Sequence, residues 1–430
     1  MYPNLYYVFK DWFGVEIEGL RFINCFGFFV AIAFIIAAVI LSKELQRKSG
    51  QGFFQPTEMQ IMVGEPAKFS DLLLNFLLGF LLGYKILALF LLNKSVTHDP
   101  QAFIFSSNGS WPAGIVLGLL FAGLKWWEKK KNLLPKPEKR TVRIWPHDRV
   151  GEITILALVF GLIGAKIFNS FETWDSFVKD PVGNFFSAEG LTMYGGLICA
   201  ALAIWWYAKR HKISFWHLND AAAPALMIAY AVGRIGCQVA GDGDWGIFNS
   251  AYTVNENAKI VAAQPGDFEN KLKQYPDYFI RNFDSLSNVP VANFKKPGSL
   301  NFLPNWMFAY HFPNNVNKEG IPLPNCKEEH CNYLPSPVFP TSFYETIACS
   351  IFFFILWGVR KRIKIPGALF GLYLMLNGFE RFFIEKIRVN STMSIFGLRM
   401  TQAELISFLL FISGLLIWII LSRKRRMKTT

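Results

Sequence analysis

Asn219-Asp-Ala-Ala-Ala-Pro-Ala-Leu-Met-Ile-Ala-Tyr-Ala-Val-Gly-Arg-Ile-Gly-Cys-Gln-Val-Ala240 is apolar over most of its length, yet it carries Asp220 near its start and Arg234 in its second half. About 20 mainly apolar residues suffice for a helix to cross a bilayer, so this run predicts a membrane span with a guanidinium inside it. An ionisable side chain in such a span is costly to keep and defaults to function. Eight further runs of similar character lie outward from it, at 21–43, 70–93, 112–127, 152–171, 190–208, 342–359, 365–385 and 402–422. Together they predict an all-α fold: a polytopic transmembrane helical bundle of about nine spans.

Composition agrees. Of 430 residues, 52% are hydrophobic and only 17% charged, where soluble domains carry about 25% charge. The net charge of +13 would raise nucleic acid as a partner of a soluble chain. Here the basic residues cluster just past the apolar runs, so they read as topology signals and not as a nucleic-acid surface. Lys43, Arg47 and Lys48 follow the first span. Lys125, Lys129, Lys130, Lys131, Lys139, Arg140 and Arg143 fill the segment after the third. Lys209, Arg210 and Lys212 follow the fifth, Arg360, Lys361, Arg362 and Lys364 the seventh, and Arg423, Lys424, Arg425, Arg426 and Lys428 the ninth. With nine spans all of them fall on one side, which the positive-inside rule makes cytoplasmic. The N-terminus is then outside and the C-terminus inside. Residues 1–14 lack a basic start, an apolar centre and a small-residue cleavage site, so no cleavable signal peptide is read.

The longest non-apolar stretch, 242–341, is outside in this topology, and divides the chain into spans one to six (1–241), an extracytoplasmic head (242–341) and spans seven to nine with a basic tail (342–430). Cys326 and Cys331 lie in the head. A bridge between them and two free thiols are both open. Cys25, Cys199, Cys237 and Cys349 sit in apolar runs as ordinary core residues, and no zinc spacing is present. A short echo, Gly79-Phe-Leu-Leu-Gly83-Tyr-Lys85-Ile against Gly161-Leu-Ile-Gly164-Ala-Lys166-Ile, is read as two ordinary helix-packing faces of small residues.

Four groups carry chemistry. The first is Gly233-Arg-Ile-Gly-Cys-Gln-Val-Ala-Gly-Asp-Gly-Asp-Trp-Gly246. Its glycines let the backbone bend towards a ligand, and N–H groups along Gly233, Gly236, Cys237, Gln238 and Gly246 could join Arg234 in binding an anion. A structural Arg–Asp pair pinning the helix end is the plainer account. The second is Arg381, Glu385 and Arg388, whose spacings of four and three share one helical face. Two arginines from separate helices match the oxygens of one phosphate. An internal Arg381–Glu385 salt bridge explains the spacing equally well. The third, Thr341-Ser-Phe-Tyr344-Glu345, reads as a capped helix start. The fourth is Tyr194-Gly195-Gly196, where a tyrosine near the interface usually belongs to the aromatic belt.

In order and spacing these groups resemble the phosphatidylglycerol–prolipoprotein diacylglyceryl transferases. The Gly-Arg-Ile-Gly stretch leading to Trp-Gly is Gly233 to Gly246, preceded by Asp220 and Pro224. The Pro-(Ser/Thr)-x-x-Tyr-Glu element is Pro340 to Glu345, and Arg-Phe-x-x-Glu-x-x-Arg is Arg381 to Arg388. Gly27 after Phe26 is similar to a Tyr-Gly of the first helix. The chain departs from the family where Tyr194 replaces the usual motif histidine, Cys237 an asparagine, and Asp242 or Asp244 a loop glutamate. Lys166 stands where arginine is common, the outer loop is long, and the helix pair near 70–127 looks inserted.

The resemblance implies phosphatidylglycerol as donor and the lipobox cysteine of a prolipoprotein signal peptide as acceptor. It also implies a thioether product with glycerol phosphate leaving, and a multi-pass location in the bacterial plasma membrane. It calls for no cofactor or metal. The catalytic candidates are Arg234, Arg381, Asp242, Asp244 and Tyr194. The substrate-binding candidates are Gly233, Gly236, Cys237, Gln238, Gly246, Asp220, Tyr344, Glu345, Glu385 and Arg388, with Asp220, Glu345 and Glu385 expected to orient the arginines. A transporter or channel for an anionic solute, or an inactive scaffold keeping the fold, are the competing readings.

Overall fold

The computed structural model describes residues 1–91, 103, 106–187, 190–255, 259–390, 392–395 and 398–429. The last two residues of the run 70–93, and the side chains of Lys424, Arg425, Arg426 and Lys428, lie outside this set. In chain order the main elements are α1 (Leu5–Phe13), α2 (Cys25–Gly50), β1 (Thr57–Val63), α3 (Phe69–Leu81), α4 (Trp111–Lys131), β2 (Glu138–Ile144), α5 (Val150–Glu172), α6 (Met193–Arg210), α7 (Phe215–Ala240), α8 (Thr341–Val359), α9 (Ala368–Glu385) and α10 (Gln402–Thr429). Each predicted run is helical within the described residues. Six helical stretches are long and apolar enough to cross a membrane: Cys25–Gly50, Phe69–Leu91, Pro146–Glu172, Phe215–Ala240, Thr341–Val359 and Gln402–Arg423. The protein is therefore a polytopic helical membrane protein.

The chain forms two compact units. One comprises Gly14–Phe22 and Ser42–Phe215. Within it the sequence echo turns out to be a repeat. From Thr57 to Glu138, where β1 and β2 begin, and from Phe69 to Val150, where α3 and α5 begin, the step is 81 residues in both cases. Lys85 and Lys166 stand the same distance apart. The two strands pair antiparallel in a register symmetric about Gln60↔Thr141, with Thr57↔Ile144 at one end and Val63↔Glu138 at the other. A Cβ on Gly83 would strike the Ala113 carbonyl, and one on Gly164 the Gly195 carbonyl, so each copy packs its two helices backbone to backbone. Lys85 Nζ donates to the carbonyls of Phe103, Ser106 and Asn108, and Lys166 Nζ donates to Ser187 Oγ at 3.0 Å. In both copies a lysine thus holds the segment that enters the second helix. Packing faces alone would not reproduce strand, register and lysine together.

The other unit comprises Met1–Phe13, Ile23–Leu41 and Trp216–Thr430. It holds α7 to α10 and the 242–341 region. That region has its own core, in which Phe248, Phe279, Phe312, Leu334 and Val338 are almost fully buried. Two short helices, Asp267–Gln274 and Pro276–Phe283, and several two-residue strands frame it. Cys326 and Cys331 form a disulfide beside the small hairpin Ile321–Pro322/Asn332–Tyr333. Of the two states left open by sequence, the bridge is the one present.

Candidate active site

Four segments of this second unit bring the charged candidates together. Helix α7 presents Arg234 in its last turns, and the turn that follows presents Asp244. The start of α8 presents Glu345, and the end of α9 presents Arg381, Glu385 and, just beyond it, Arg388. Local hydrogen bonds fix the turn. Thr341 Oγ1 and Ser342 Oγ donate to the Asp244 carbonyl at 2.7 and 3.0 Å. Gly246 N–H donates to Phe339 O at 2.8 Å, and Ile247 N–H to Ile387 O at 2.8 Å. Gly246 is required there, because a Cβ would meet the Ile387 and Phe339 carbonyls. The sequence reading of a side-chain cap here is corrected: α8 starts after Pro340 with no side-chain cap, and the Thr341 and Ser342 hydroxyls instead hold the loop that carries Asp244.

Glu345 is fully buried and lies at the centre. Arg234 Nε is 2.9 Å from its Oε2 in an ionic contact. Arg381 Nη1 donates to Oε1 at 3.1 Å, and Arg388 Nη1 is 3.8 Å from the same oxygen. Tyr230 donates its hydroxyl to Oε1 at 3.2 Å and lies under the Arg234 guanidinium, 5.2 Å from the ring centroid. Asp244 is the second anchor: Arg234 pairs with its Oδ2 and Arg388 with its Oδ1. Arg381 also reaches Glu385 at 3.3 Å, which in turn accepts from Asn390 at 2.6 Å. Both plain accounts hold, the Arg–Asp pair and the Arg381–Glu385 bridge, and both serve one cluster.

Two features make this cluster more than a helix staple. Arg381 Nε and Arg388 Nη1 are buried and donate no hydrogen bond among the described residues. A buried donor left unmade costs about 1–3 kcal/mol, so these N–H groups are poised to take an acceptor. Glu380, next to Arg381 and 3% exposed, has neither carboxylate oxygen hydrogen-bonded among the described residues. The sequence reading passed over Glu380 and Tyr230, although an acid inside an apolar run is the signal that singled out Arg234.

Asp242 and Asp244 lie beyond the end of α7 and differ in kind. Burial acts to raise both carboxyls. At Asp244 the guanidiniums of Arg234 and Arg388 outweigh it and hold the group below the ordinary range. At Asp242 burial, reinforced by the charge of Asp244, wins and pushes the group up. Cys237, Asp242 and Asp244 bring one ligand atom each within 4.8 Å of one another. Both Asp244 oxygens are already held by arginines, and nearby guanidiniums repel a cation, so the trio is a poor metal site.

The other candidates are placed as follows. Asp220 is not in the cluster. Its carboxylate accepts from Gly367 N–H at 2.9 Å and Phe370 N–H at 3.1 Å, so it caps the start of α9. It stands fourteen positions before Arg234 on one helix, about 21 Å at the rise of an α-helix, which rules out a direct hold on that arginine. Tyr344 donates to Met307 O at 2.8 Å and ties α8 to the 242–341 region. Gly236 packs against Phe26 and Phe29 of α2. Gln238 Oε1 is buried with no hydrogen-bond partner among the described residues, Cys237 is buried with its sulfur 3.7 Å from Arg234 Nη1, and a Cβ on Gly233 would meet nothing within 4 Å. Tyr194 belongs to the repeat-containing unit, at the second position of α6.

Comparison with known proteins bears on the same residues. The family model described as prolipoprotein diacylglyceryl transferase matches residues 112–420. The match spans all four segments of the cluster and starts at the head of α4, leaving β1 and α3 before it. The chain is 26% identical over 283 residues to the phosphatidylglycerol–prolipoprotein diacylglyceryl transferase of Leptospira interrogans, covering 60% of this chain and 67% of the relative. It is 25% identical over 285 residues to that of Enterococcus faecalis, covering 66% and 78%. A 33% identical match over 146 residues to that of Dehalococcoides mccartyi covers 34% and 53%. On the extent of the family match, this chain belongs to the prolipoprotein diacylglyceryl transferase family.

Proposed function

We propose that this enzyme transfers the diacylglyceryl group of phosphatidylglycerol to the lipobox cysteine of a prolipoprotein signal peptide. The sulfur forms a thioether with the glycerol carbon, the carbon–oxygen bond to phosphate breaks, and glycerol phosphate leaves with the bonding electrons. The observation that carries this reading is the convergence of three arginines with two buried, unused N–H donors, Arg381 Nε and Arg388 Nη1. Guanidinium forks fit phosphate oxygens, and donors set in advance in a water-poor site favour the charge that grows on a leaving phosphate. Glu345 and Glu385 hold Arg381, and Glu345 and Asp244 hold Arg234. The thiol must lose its proton to become a nucleophile. Asp242 fits that step best, since burial raises its carboxyl and it makes no ion pair among the described residues, whereas both oxygens of Asp244 are engaged by arginines. Arginine pairing of this density suits transfer chemistry on a lipid phosphate better than passage of a free anion.

The reading extends to placement. Nine spans, with α4, α6 and α9 joining the six most apolar ones, put every basic cluster on one side, which we assign to the cytoplasm of a bacterial plasma membrane. Residues 242–341 then form an extracytoplasmic head, and a disulfide there is supported by an oxidising compartment. A liposome assay tests the whole reading. Purified protein, labelled phosphatidylglycerol and a lipobox peptide should yield a thioether-linked diacylglyceryl peptide. Flux of an anionic solute without product would replace it with a transporter, and neither outcome would leave a scaffold.

A further inference from the structure

The two copies of the β–α–α repeat differ most at the sheet end. In the second copy Arg149 donates to Tyr207 Oη at 3.2 Å and pairs with Glu152 at 3.3 Å, and Arg149 and Tyr207 are each 6% exposed. Trp145 follows β2 there. By the same step of 81 residues the first copy has Lys68, Trp126 and, after β1, Gly64 at these positions, with Phe69 left 79% exposed. Gly64 and Lys68 stand where the second copy has Trp145 and Arg149, and a cavity of about 460 Å³ opens between β1, β2 and the end of α4. Its lining includes Lys125, Lys129, Lys131 and Arg140 against Glu65 and Glu128. Lys125 is spent on Glu128 at 2.8 Å, Arg140 on Glu138 at 3.0 Å, and Glu65 on Lys68 at 2.9 Å. Lys129 and Lys131 make no ion pair among the described residues, so the cavity keeps uncompensated positive charge.

Two neighbours indicate where that charge points. Trp126 and Trp127 on α4 are 50% and 61% exposed, as aromatic residues at a lipid headgroup level are. One face of the β1–β2 sheet exposes Met59, Ile61 and Val142 beside Arg140, an amphipathic surface of the kind that lies in a membrane interface. We propose that this cavity binds the phosphate headgroup of an anionic phospholipid, with Lys129 and Lys131 on the phosphate and the sheet's apolar side chains along the first acyl carbons. A soluble phosphate would satisfy the lysines and leave the sheet's exposed apolar side chains and the tryptophans without a role, so the lipid is the occupant favoured. The site is separate from the arginine cluster and concerns the repeat alone.

The test uses the full-length protein in phosphatidylcholine nanodiscs doped with phosphatidic acid carrying a bromine-labelled chain, read by quenching of tryptophan fluorescence. Lys129→Gln should weaken apparent affinity about fivefold and adding Lys131→Gln about fivefold again, the usual worth of one interfacial cation each. Lys129→Arg with Lys131→Arg should bind as the parent does, and all variants should keep diacylglyceryl transfer within about twofold. Equal quenching in the parent and the double glutamine variant would overturn the proposal. So would equal losses in the glutamine and arginine variants, or displacement of the lipid by inorganic phosphate at matched concentration.

Discussion

Arg234 and Arg381, carried by α7 and α9, hold opposite oxygens of one buried carboxylate: Arg234 Nε lies 2.9 Å from Glu345 Oε2, and Arg381 Nη1 lies 3.1 Å from Glu345 Oε1. Glu345 therefore sets the spacing between two guanidiniums, which is the property a phosphate clamp needs. Breaking a buried pair by removing one partner strands charge and typically costs about 3–5 kcal/mol, so the three residues stand or fall together in stability as well as in rate.

Arg381→Ala should lower transfer of labelled diacylglyceryl to a lipobox peptide by about 10²–10³, the usual loss for one donor to a developing anion. Arg234→Lys should lose nearly as much, since an ammonium cannot span Asp244, Glu345 and a ligand at once. Cys237→Ala should stay active, because the thiol that reacts belongs to the acceptor. Near-parental rates in the arginine variants, with folding intact, would defeat the clamp.

Asp242→Asn should cut the rate by about 10²–10⁴, the range for a lost general base. In the parent enzyme the acidic limb of the pH–rate profile should lie above the ordinary aspartate pKa of about 3.9, because burial raises this carboxyl and only its ionised form accepts the proton. The limb should vanish in the variant. An unchanged limb would move the proton acceptance elsewhere.

Asp220→Ala should leave the catalytic rate within a few-fold of the parent and lower thermal stability instead. Its carboxylate caps α9 through Gly367 and Phe370, a contact worth about 0.5–2 kcal/mol. A melting curve and a transfer assay on one preparation separate the two effects, and a rate loss as deep as that of Arg381→Ala would refute the cap.

His311 is buried in the 242–341 region, and burial pushes its pKa down to about 4. The unfolded chain takes up that proton near pH 6.5, so between pH 6.5 and 4 the unfolded state binds more protons than the folded one. This stabilising contribution is complete above pH 6.5 and lost as pH falls through the window, by about 3 kcal/mol in all. Melting temperature in detergent should drop on acidification across that range, and His311→Gln should flatten the drop.

The Cys326–Cys331 bridge predicts that neither thiol reacts with maleimide in intact membranes until a reductant is added. Immediate labelling would place the region in a reducing compartment and reverse the proposed orientation.

Much of this was legible beforehand. The apolar runs, the glycine-rich turn after Arg234 and the face shared by Arg381, Glu385 and Arg388 are local patterns, and each one reappears as a helix or turn at its expected place. The partners of Asp220 are not legible in the sequence, because the amides of Gly367 and Phe370 lie 147 and 150 residues away and leave no mark on spacing. The repeat is faint in the sequence because what its two copies share is a strand register and a lysine reach, while the matching residues themselves are few.

Hydrophobic length and charge asymmetry act over one helix at a time, so the amino-acid order alone determined a multi-span helical membrane protein with ionisable groups inside it. Which acid faces which arginine depends on segments far apart in the chain: Asp244 and Arg388 are 144 residues from one another, and Glu345 meets Arg381 across 36. Only packing of α7, α8 and α9 decides those encounters, because a buried charge takes its partner from whatever the neighbouring helices present.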